Sequence, residues 1–504
     1  MARRDRGAQS MFEGLGYDPA RDLPADHLAR LVDQVVDAAV PAQGVRVGPG
    51  QPPYPPRVYA KILIYGYATG ERSSRRLEQA CEESLPYLYL ARGMHPSYRS
   101  LCRFRGEGKK ALEAAWGQVF AVAARLKLTR VGRVVVDTSK LRANTSQELV
   151  LKEEEYAAVQ AALEQALAEA EAVDAREKQG GGPPPTRTGK KLEGAQMRDI
   201  VRAVRAELGG KRPAPAPTRM SPRMRKRVKD TLKTLEEAQE EGRKHLSLTD
   251  PEAEMMHGGR EKQVRESYSF EVALEQGSGL LVAQGVTREG PDSRRLGPLL
   301  EAARPRLPLG KLEAVEGDSG FYSTPVIRGL LDGGVDVCIP DTWTAGMLHR
   351  GEWREPAVGM VYEPKQDQYR CPEGKVLKAV ATYQGERGYL ETRYRVEGSC
   401  RGCPRAEACF SKQAKERERK TLERRTDPEA LEAHRERFRE PAMQARYRQR
   451  GSWIEGVFGY VREGLGFGRW LLRGEKKVAQ EGRLMALSYQ LKKVHRAWAG
   501  QAAG

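Results

Sequence analysis

Cysteine is scarce in this chain: seven residues in 504. They are too few and too unevenly spread for a disulfide scaffold, so a reducing, cytoplasmic setting is expected. Histidine is equally scarce, also seven, and no pair falls at H-x3-H or H-E-x-x-H spacing, which excludes the helical zinc-hydrolase pattern. Long apolar runs are missing: nothing approaches the ~18 residues of a membrane span, so no membrane partner is expected. The opening Met1-Ala-Arg-Arg-Asp-Arg6 has no apolar stretch behind it, so no secretory signal is expected either. Negative charge is short of positive, 68 acidic against 86 basic residues, a formal net charge of +18. A large chain with that surplus points to a polyanionic partner, most commonly nucleic acid.

The length suits two to four domains. Residues 10–125 read as an all-helical unit. Val58, Ile62, Leu63 and Tyr65 to Tyr67 give one apolar face. Ser73 caps a second helix, and Pro96-Ser97 opens a third that carries Arg99, Arg103 and Arg105. Short helices, the later one rich in arginine, suit a helix-turn-helix on double-stranded DNA.

From 131 the texture becomes α/β. Strands are expected at 131–137, 266–274, 279–287, 312–317 and 335–339, with helices near 292–304 and 324–333. Three antiparallel strands, then parallel strands alternating with helices, make a mixed sheet with flanking helices, the ribonuclease H-like arrangement. Its core would occupy 126–340 and 441–498, closing with a helix over 478–494. Two insertions interrupt it. The segment 147–263 opens with a helix near 152–175, passes through Gln179-Gly-Gly-Gly-Pro-Pro-Pro185, and carries fourteen basic against four acidic residues over 187–230. There Pro213-Ala-Pro-Ala-Pro217 should be extended, and Ser221-Pro222 should start another helix. The second insertion, 341–440, is rich in cysteine.

Three acids carry the candidate chemistry. Asp137 closes the run Val131-Gly-Arg-Val-Val-Val-Asp137, and Asp318 closes Leu312-Glu-Ala-Val-Glu-Gly-Asp318. Glu455 lies in the helical Trp453-Ile-Glu-Gly-Val-Phe-Gly459. Two carboxylates at strand ends and one on a helix supply hard oxygen ligands on rigid supports, as two divalent ions over a phosphodiester require. Polar, basic chain follows Asp137, with Lys140 and Arg142 placed to face phosphate. Glu455 and Arg462 are seven apart, hence on one helix face, with Tyr447 and Arg450 upstream. Glu463 is the rival third acid.

These blocks, in order, resemble bacterial insertion-sequence transposases of the DDE class, in the branch with a Tyr-Arg-Glu-Lys signature. The resemblance covers nearly the whole length. Tyr65-Gly-Tyr-x-x-Gly-x-Arg-Ser-Ser-Arg-Arg-Leu-Glu78 with Arg103-Phe-Arg105 resembles the N-terminal DNA-binding domain. Asp137-Thr-Ser-Lys-Leu-Arg-Ala-Asn-Thr-Ser146 resembles the first catalytic block. Leu248-Thr-Asp-Pro251 and Gly317-Asp-Ser-Gly-Phe-Tyr-Ser323 resemble the middle blocks. Ile454-Glu-Gly-Val-Phe-Gly459, Leu471-Leu-Arg-Gly474 and Ala486-Leu-Ser-Tyr-Gln-Leu-Lys-Lys493 resemble the last. Arg462 stands where the family usually has lysine. The resemblance implies two Mg²⁺ or Mn²⁺ ions held by Asp137, Asp318 and Glu455. It implies Tyr447, Arg450 and Arg462 on phosphates near the scissile bond, and Arg75, Arg76, Arg99, Arg103, Arg105, Lys140 and Arg142 on DNA. The implied partners are terminal inverted repeats and target DNA, held by a homodimer in a synaptic complex. A repressor derived from a transposase, and a nuclease without strand transfer, are the alternatives.

Cys371, Cys400, Cys403 and Cys409 give C-x28-C-x2-C-x5-C, four of the seven cysteines within 39 residues. A closed four-thiol set would hold structural zinc rather than catalytic zinc. Cys81, Cys102 and Cys338 sit in apolar surroundings and read as core.

Overall fold

The computed structural model describes residues 18–502 apart from 41, 43–53, 129, 181–189, 212–219, 258–263, 290–291, 352–358, 385–389, 411–417 and 427–428. The proline stretch 213–217 and the linker from 181 onward therefore lie outside the described residues.

After a single helical turn at Pro19–Asp22 come helices α1 (Leu28–Ala39), α2 (Pro56–Ala68), α3 (Ser74–Glu83), α4 (Leu85–Ala91), α5 (Tyr98–Glu107) and α6 (Lys109–Arg125). In α1 the stripe Leu28, Leu31, Val32, Val35 and Val36 is buried, the spacing of one face of a 3.6-residue helix. Every residue of α2 from Val58 to Ala68 is buried, which makes it the central helix of the unit. The expected serine caps form: the Ser73 hydroxyl accepts from the Arg76 N–H and that of Ser97 from the Ser100 N–H, both at 3.4 Å.

Strand β1 runs over Arg133–Arg142. It continues five residues beyond Asp137, which therefore sits within the strand and not at its end. Thr138, Ser139 and Lys140 end the apolar run but not the ladder, because all three pair with the next core strand. Between the two lies a second unit: β2 (Val150–Lys152), α7 (Tyr156–Gly180), α8 (Lys190–Leu208), α9 (Pro222–Glu240) and β3 (His245–Ser247). Ser221 caps α9 as expected. The segment is more than helix and linker, since Tyr156, Leu163, Met197, Val201, Met224 and Leu235 build a hydrophobic cluster of their own.

The main sheet then gains β4 (Glu254–His257), β5 (Val264–Glu275), β6 (Leu280–Thr287), β7 (Ala314–Glu316) and β8 (Asp336–Cys338). Its order is β4-β5-β1-β7-β8, with β6 on β5 beside β4. Strands β1, β5 and β6 are antiparallel neighbours, whereas β1–β7 and β7–β8 are parallel. Parallel neighbours need crossovers, supplied by α10 (Leu296–Ala303) and α11 (Thr324–Asp332). The result is a mixed α/β architecture.

After β8 and α12 (Thr342–Arg350) comes an antiparallel sheet of β9 (Val361–Glu363), β10 (Gln368–Arg370), β11 (Val376–Gln384), β12 (Leu390–Val396) and β13 (Thr421–Thr426). Helices α13 (Glu429–Arg437), α14 (Pro441–Gly459) and α15 (Glu475–Ala502) follow, and a π-turn (Tyr460–Gly464) extends α14. Helix α15 lies between the opening helices and the sheet. Tyr67 donates to Glu481 on one side (3.2 Å), and Tyr489 donates to the Gly279 carbonyl on the other (3.2 Å). One hydrophobic cluster consequently joins Leu31, Tyr67, Val135, Phe270 and Leu487. Among the described residues, no helix is long and apolar enough to cross a membrane.

Candidate active site

The register of β7 on β1 sets the two aspartates level. Val134 faces Val315 and Val135 faces Glu316, where β7 ends. Two residues farther along in each case stand Asp137, still within β1, and Asp318, just past the end of β7. Gly317 makes the approach feasible: a Cβ there would stand 2.8 Å from Val136 Cγ2 and 3.2 Å from Ile339 Cδ1. Asp318 then turns the chain, its Oδ1 accepting from the Gly320 N–H at 2.9 Å, while Asp137 Oδ1 accepts from the Thr138 N–H at 2.7 Å.

Burial, and next the charge of Asp318, push the Asp137 carboxyl up to about 6; Arg450 pulls in the opposite direction. Asp137 is held by the fold where burial and the neighbouring Asp318 charge oppose its ionisation, and a cation beside it would relieve both effects.

Helix α14 supplies the other wall. Tyr447 is half-buried against Phe438, and the Arg450 guanidinium lies 5.2 Å from its ring centroid. Burial raises the Tyr447 hydroxyl first; Arg450 lowers it, and Asp318, Cys338 and Asp137 raise it further. Arg450 Nε is buried and has no hydrogen-bond partner among the described residues. Arg462, at the end of this helical stretch, donates to the Ser139 hydroxyl on β1. Glu455 is exposed on α14 between these two arginines. The π-turn intervenes, so the simple seven-residue face does not apply to Glu455 and Arg462, although Arg462 still reaches β1. Glu463 is exposed within the π-turn.

A further acid joins the site that the sequence pattern does not single out. Asp292, in the turn after β6, accepts from the Thr138 hydroxyl at 3.2 Å. Its other oxygen, Oδ1, is buried without a hydrogen-bond partner among the described residues. Burial and the charge of Asp318 both raise its carboxyl. A Cβ on Gly320 would meet Asp318 Oδ1 at 3.0 Å and Asp292 Oδ2 at 3.3 Å, so the two acids converge on that glycine. Asp292 closes no apolar run, which is why periodicity does not expose it. Among the described residues no three His, Cys, Asp or Glu side chains already stand at ligating spacing around one point.

The basic residues divide. Arg75, Arg76, Arg99 and Arg103 are exposed on α3 and α5. Arg75 and Arg99 converge on Tyr98, their guanidinium carbons 5.2 and 5.7 Å from its ring centroid. Arg142 is exposed, and Lys140 is half-buried near Asp292. Arg105 is a correction: it is 3% exposed, and its guanidinium donates to the Arg72 carbonyl (2.7 Å) and the Ser74 hydroxyl (2.8 Å). It ties α5 to the start of α3 and is not available to DNA. Cys102, expected in the core, is exposed, with Sγ 3.2 Å from the Ser74 hydroxyl. Cys81 and Cys338 are buried as expected. Cys400 is buried in the small core of the β9–β13 sheet, where Cys371 and Cys409 pack partly covered. Cys403 is half-buried one turn after Cys400.

Comparison with known proteins adds two matches. Residues 370–495 match the family described as Transposase DDE domain, and residues 18–107 match that described as Transposase domain (DUF772). The first spans the four-cysteine segment and the helix with Tyr447, Arg450 and Glu455; the second spans α1 to α5. Asp137 and Asp318 lie between the two matched segments. No curated protein matches the chain.

Proposed function

We propose, from the premise that the chain belongs to the DDE transposases of bacterial insertion sequences, that it cleaves DNA at element ends and joins them to target DNA. The observation that carries this reading is the level placement of Asp137, in β1, and Asp318, two residues past the end of the adjacent β7, with Arg450 of α14 beside them. The sheet order, in which antiparallel β6, β5 and β1 are followed by parallel β7 and β8, supports reading the core as ribonuclease H-like.

Asp137 and Asp318 would hold divalent cations, with Glu455 from α14 as a further oxygen donor. The unpartnered Oδ1 of Asp292 fits the same need. Such cations, when bound, supply charge neutralisation and an activated oxygen nucleophile for in-line displacement at phosphorus. The chain's own residues do the positioning. Arg450 and Arg462 orient phosphate oxygens through charge-assisted hydrogen bonds, and Tyr447 fixes Arg450 by lying beneath its guanidinium. Gly317 and Gly320 hold the acid-bearing turn close against β1. The exposed arginines of α3 and α5 grip double-stranded terminal repeats, and two chains would pair two ends.

The test is incubation with end-containing DNA in Mg²⁺ or Mn²⁺ and in EDTA. Cation-dependent nicking and joined products, both lost in Asp318→Asn, support the proposal. Nicking without joined products indicates a nuclease, and binding without nicking indicates a repressor.

A further inference from the structure

The β9–β13 sheet is larger than its core. Among the described residues only Met360, Tyr369, Leu377, Tyr394, Val396 and Cys400 form its buried apolar cluster, and most of β11 is exposed. So small a core rarely sustains a unit without a staple such as a disulfide or a metal. The cysteines here are free thiols.

Three cysteine-bearing segments meet at one end of this sheet. The first is the β10–β11 turn: the Cys371 N–H donates to the Lys375 carbonyl (2.8 Å), and the Gly374 N–H donates to the Cys371 carbonyl (2.9 Å). Gly374 supplies the left-handed backbone (φ +78°), and the Lys375 N–H points at Cys371 Sγ, 3.3 Å away. The second follows β12: the Cys403 N–H donates to the Cys400 carbonyl (3.2 Å) over Gly402 (φ +72°). Tight turns that aim backbone N–H groups at sulfur are how metal-binding thiols are presented. The third is Cys409, at the end of a single helical turn, its carbonyl bonded by Lys420.

Two polar clamps hold the segments in place. Lys375 Nζ donates to the Ser399 carbonyl (2.6 Å), tying the first turn to the second. Arg405 pairs with Glu373 at 3.2 Å, tying the chain after Cys403 to the first turn. Cys371 and Cys409 both pack against the buried cluster that contains Cys400. Lys375, Arg401, Arg405 and Lys420 border the group, suiting an excess of thiolate charge. The sulfurs are not yet at ligating spacing, so occupancy would draw them inward from an assembled frame.

We propose that Cys371, Cys400, Cys403 and Cys409 bind one structural zinc ion, closing the base of the β9–β13 sheet. Four soft thiolate donors with no open position select a tetrahedral, redox-silent ion. The site is independent of the aspartates.

The test uses the full chain purified without chelator. Elemental analysis should find about one zinc per chain, and it should persist in Asp318→Asn. Mercurial titration of the wild-type protein, with a zinc-sensitive dye, should release the metal as about four thiols react. Growth with Co²⁺ should give thiolate-to-cobalt charge-transfer absorption, which Cys403→Ser weakens. If that variant fails to fold, the mercurial titration on wild type still decides. Zinc-free folded protein in which every thiol reacts freely overturns the proposal. So does a disulfide among the four, or zinc that leaves with Asp318→Asn.

Discussion

Replacing Asp137 with asparagine removes a charge that the fold holds at a cost, and the sign and size of the effect follow from its surroundings. The folded-state carboxyl titrates near 6 against an ordinary value of 3.8, chiefly through burial and the neighbouring Asp318. A folded value above the unfolded one means that the associated stability is fully present below about pH 3.8. It is lost as pH rises through about 6. At pH 7.5 the ionised Asp137 therefore costs at most ~3 kcal/mol, a rise of about two units at ~1.4 kcal/mol each. Its partial contact with solvent brings this to about 2 kcal/mol. Asparagine keeps the Oδ1 that accepts from the Thr138 N–H, so the backbone bond survives. Thermal unfolding in EDTA at pH 7.5 should show Asp137→Asn melting a few degrees above wild type. The gap should narrow as pH falls below about 6 and close only below about pH 3.8, where the wild-type carboxyl is protonated in both states. Adding Mg²⁺ should raise the wild-type midpoint and leave the variant where it was. A variant equal to or less stable than wild type in EDTA, with the same pH profile, would refute the crowded-carboxylate reasoning.

Gly317→Ala should reduce DNA cleavage at least ~10-fold while the protein stays folded, because its Cβ would press on Val136 and Ile339 and move Asp318; circular dichroism and a nicking assay separate the two effects. Asp292→Asn should raise the Mg²⁺ or Mn²⁺ concentration needed for half-maximal nicking several-fold, with end binding unchanged; a titration of nicking rate against metal checks it. Arg105→Ala should cost about 2–3 kcal/mol in denaturant unfolding, since the carbonyl of Arg72 and hydroxyl of Ser74 lose their buried donor. Neutralising Arg75, Arg76, Arg99 and Arg103 together should leave stability within ~0.5 kcal/mol. It should flatten the salt dependence of DNA binding by about 0.9 in log-log slope for each phosphate that is no longer neutralised.

The main sheet was legible because its strands are short apolar runs bounded by turns, and β5 and β6 are joined by the turn Gln276–Gly279. Their order places Asp318 beside Asp137. The extension of β1 to Arg142 was not legible, because Thr138-Ser-Lys140 is polar; β5 holds it by backbone pairing that side-chain pattern does not encode. Of the β9–β13 sheet only the alternation over 379–383, inside β11, was legible, and the rest escaped for a related reason. Its strands are exposed over much of their length, so Lys378, Glu391, Arg393 and Glu423 blur the period of two. Arg105 carried a readable signal: it lies four residues after the buried Leu101, on the apolar face of α5. Asp292 carried none, for it sits in a polar turn and gains its place only when that turn packs against residues 319–321. The small second core under α7 to α9 was half legible, from helical periodicity without a partner in sequence.

The central claim is that Asp137 and Asp318 jointly hold the cations that drive phosphodiester chemistry. Its most direct measurement is Fe²⁺-generated hydroxyl-radical cleavage of the protein backbone, with iron in place of magnesium. The account predicts cuts in two places distant in sequence, around residues 137 and 318, suppressed by excess Mg²⁺ and absent in Asp318→Asn. Cuts at only one of these places, or cuts that survive Asp318→Asn unchanged, would contradict it.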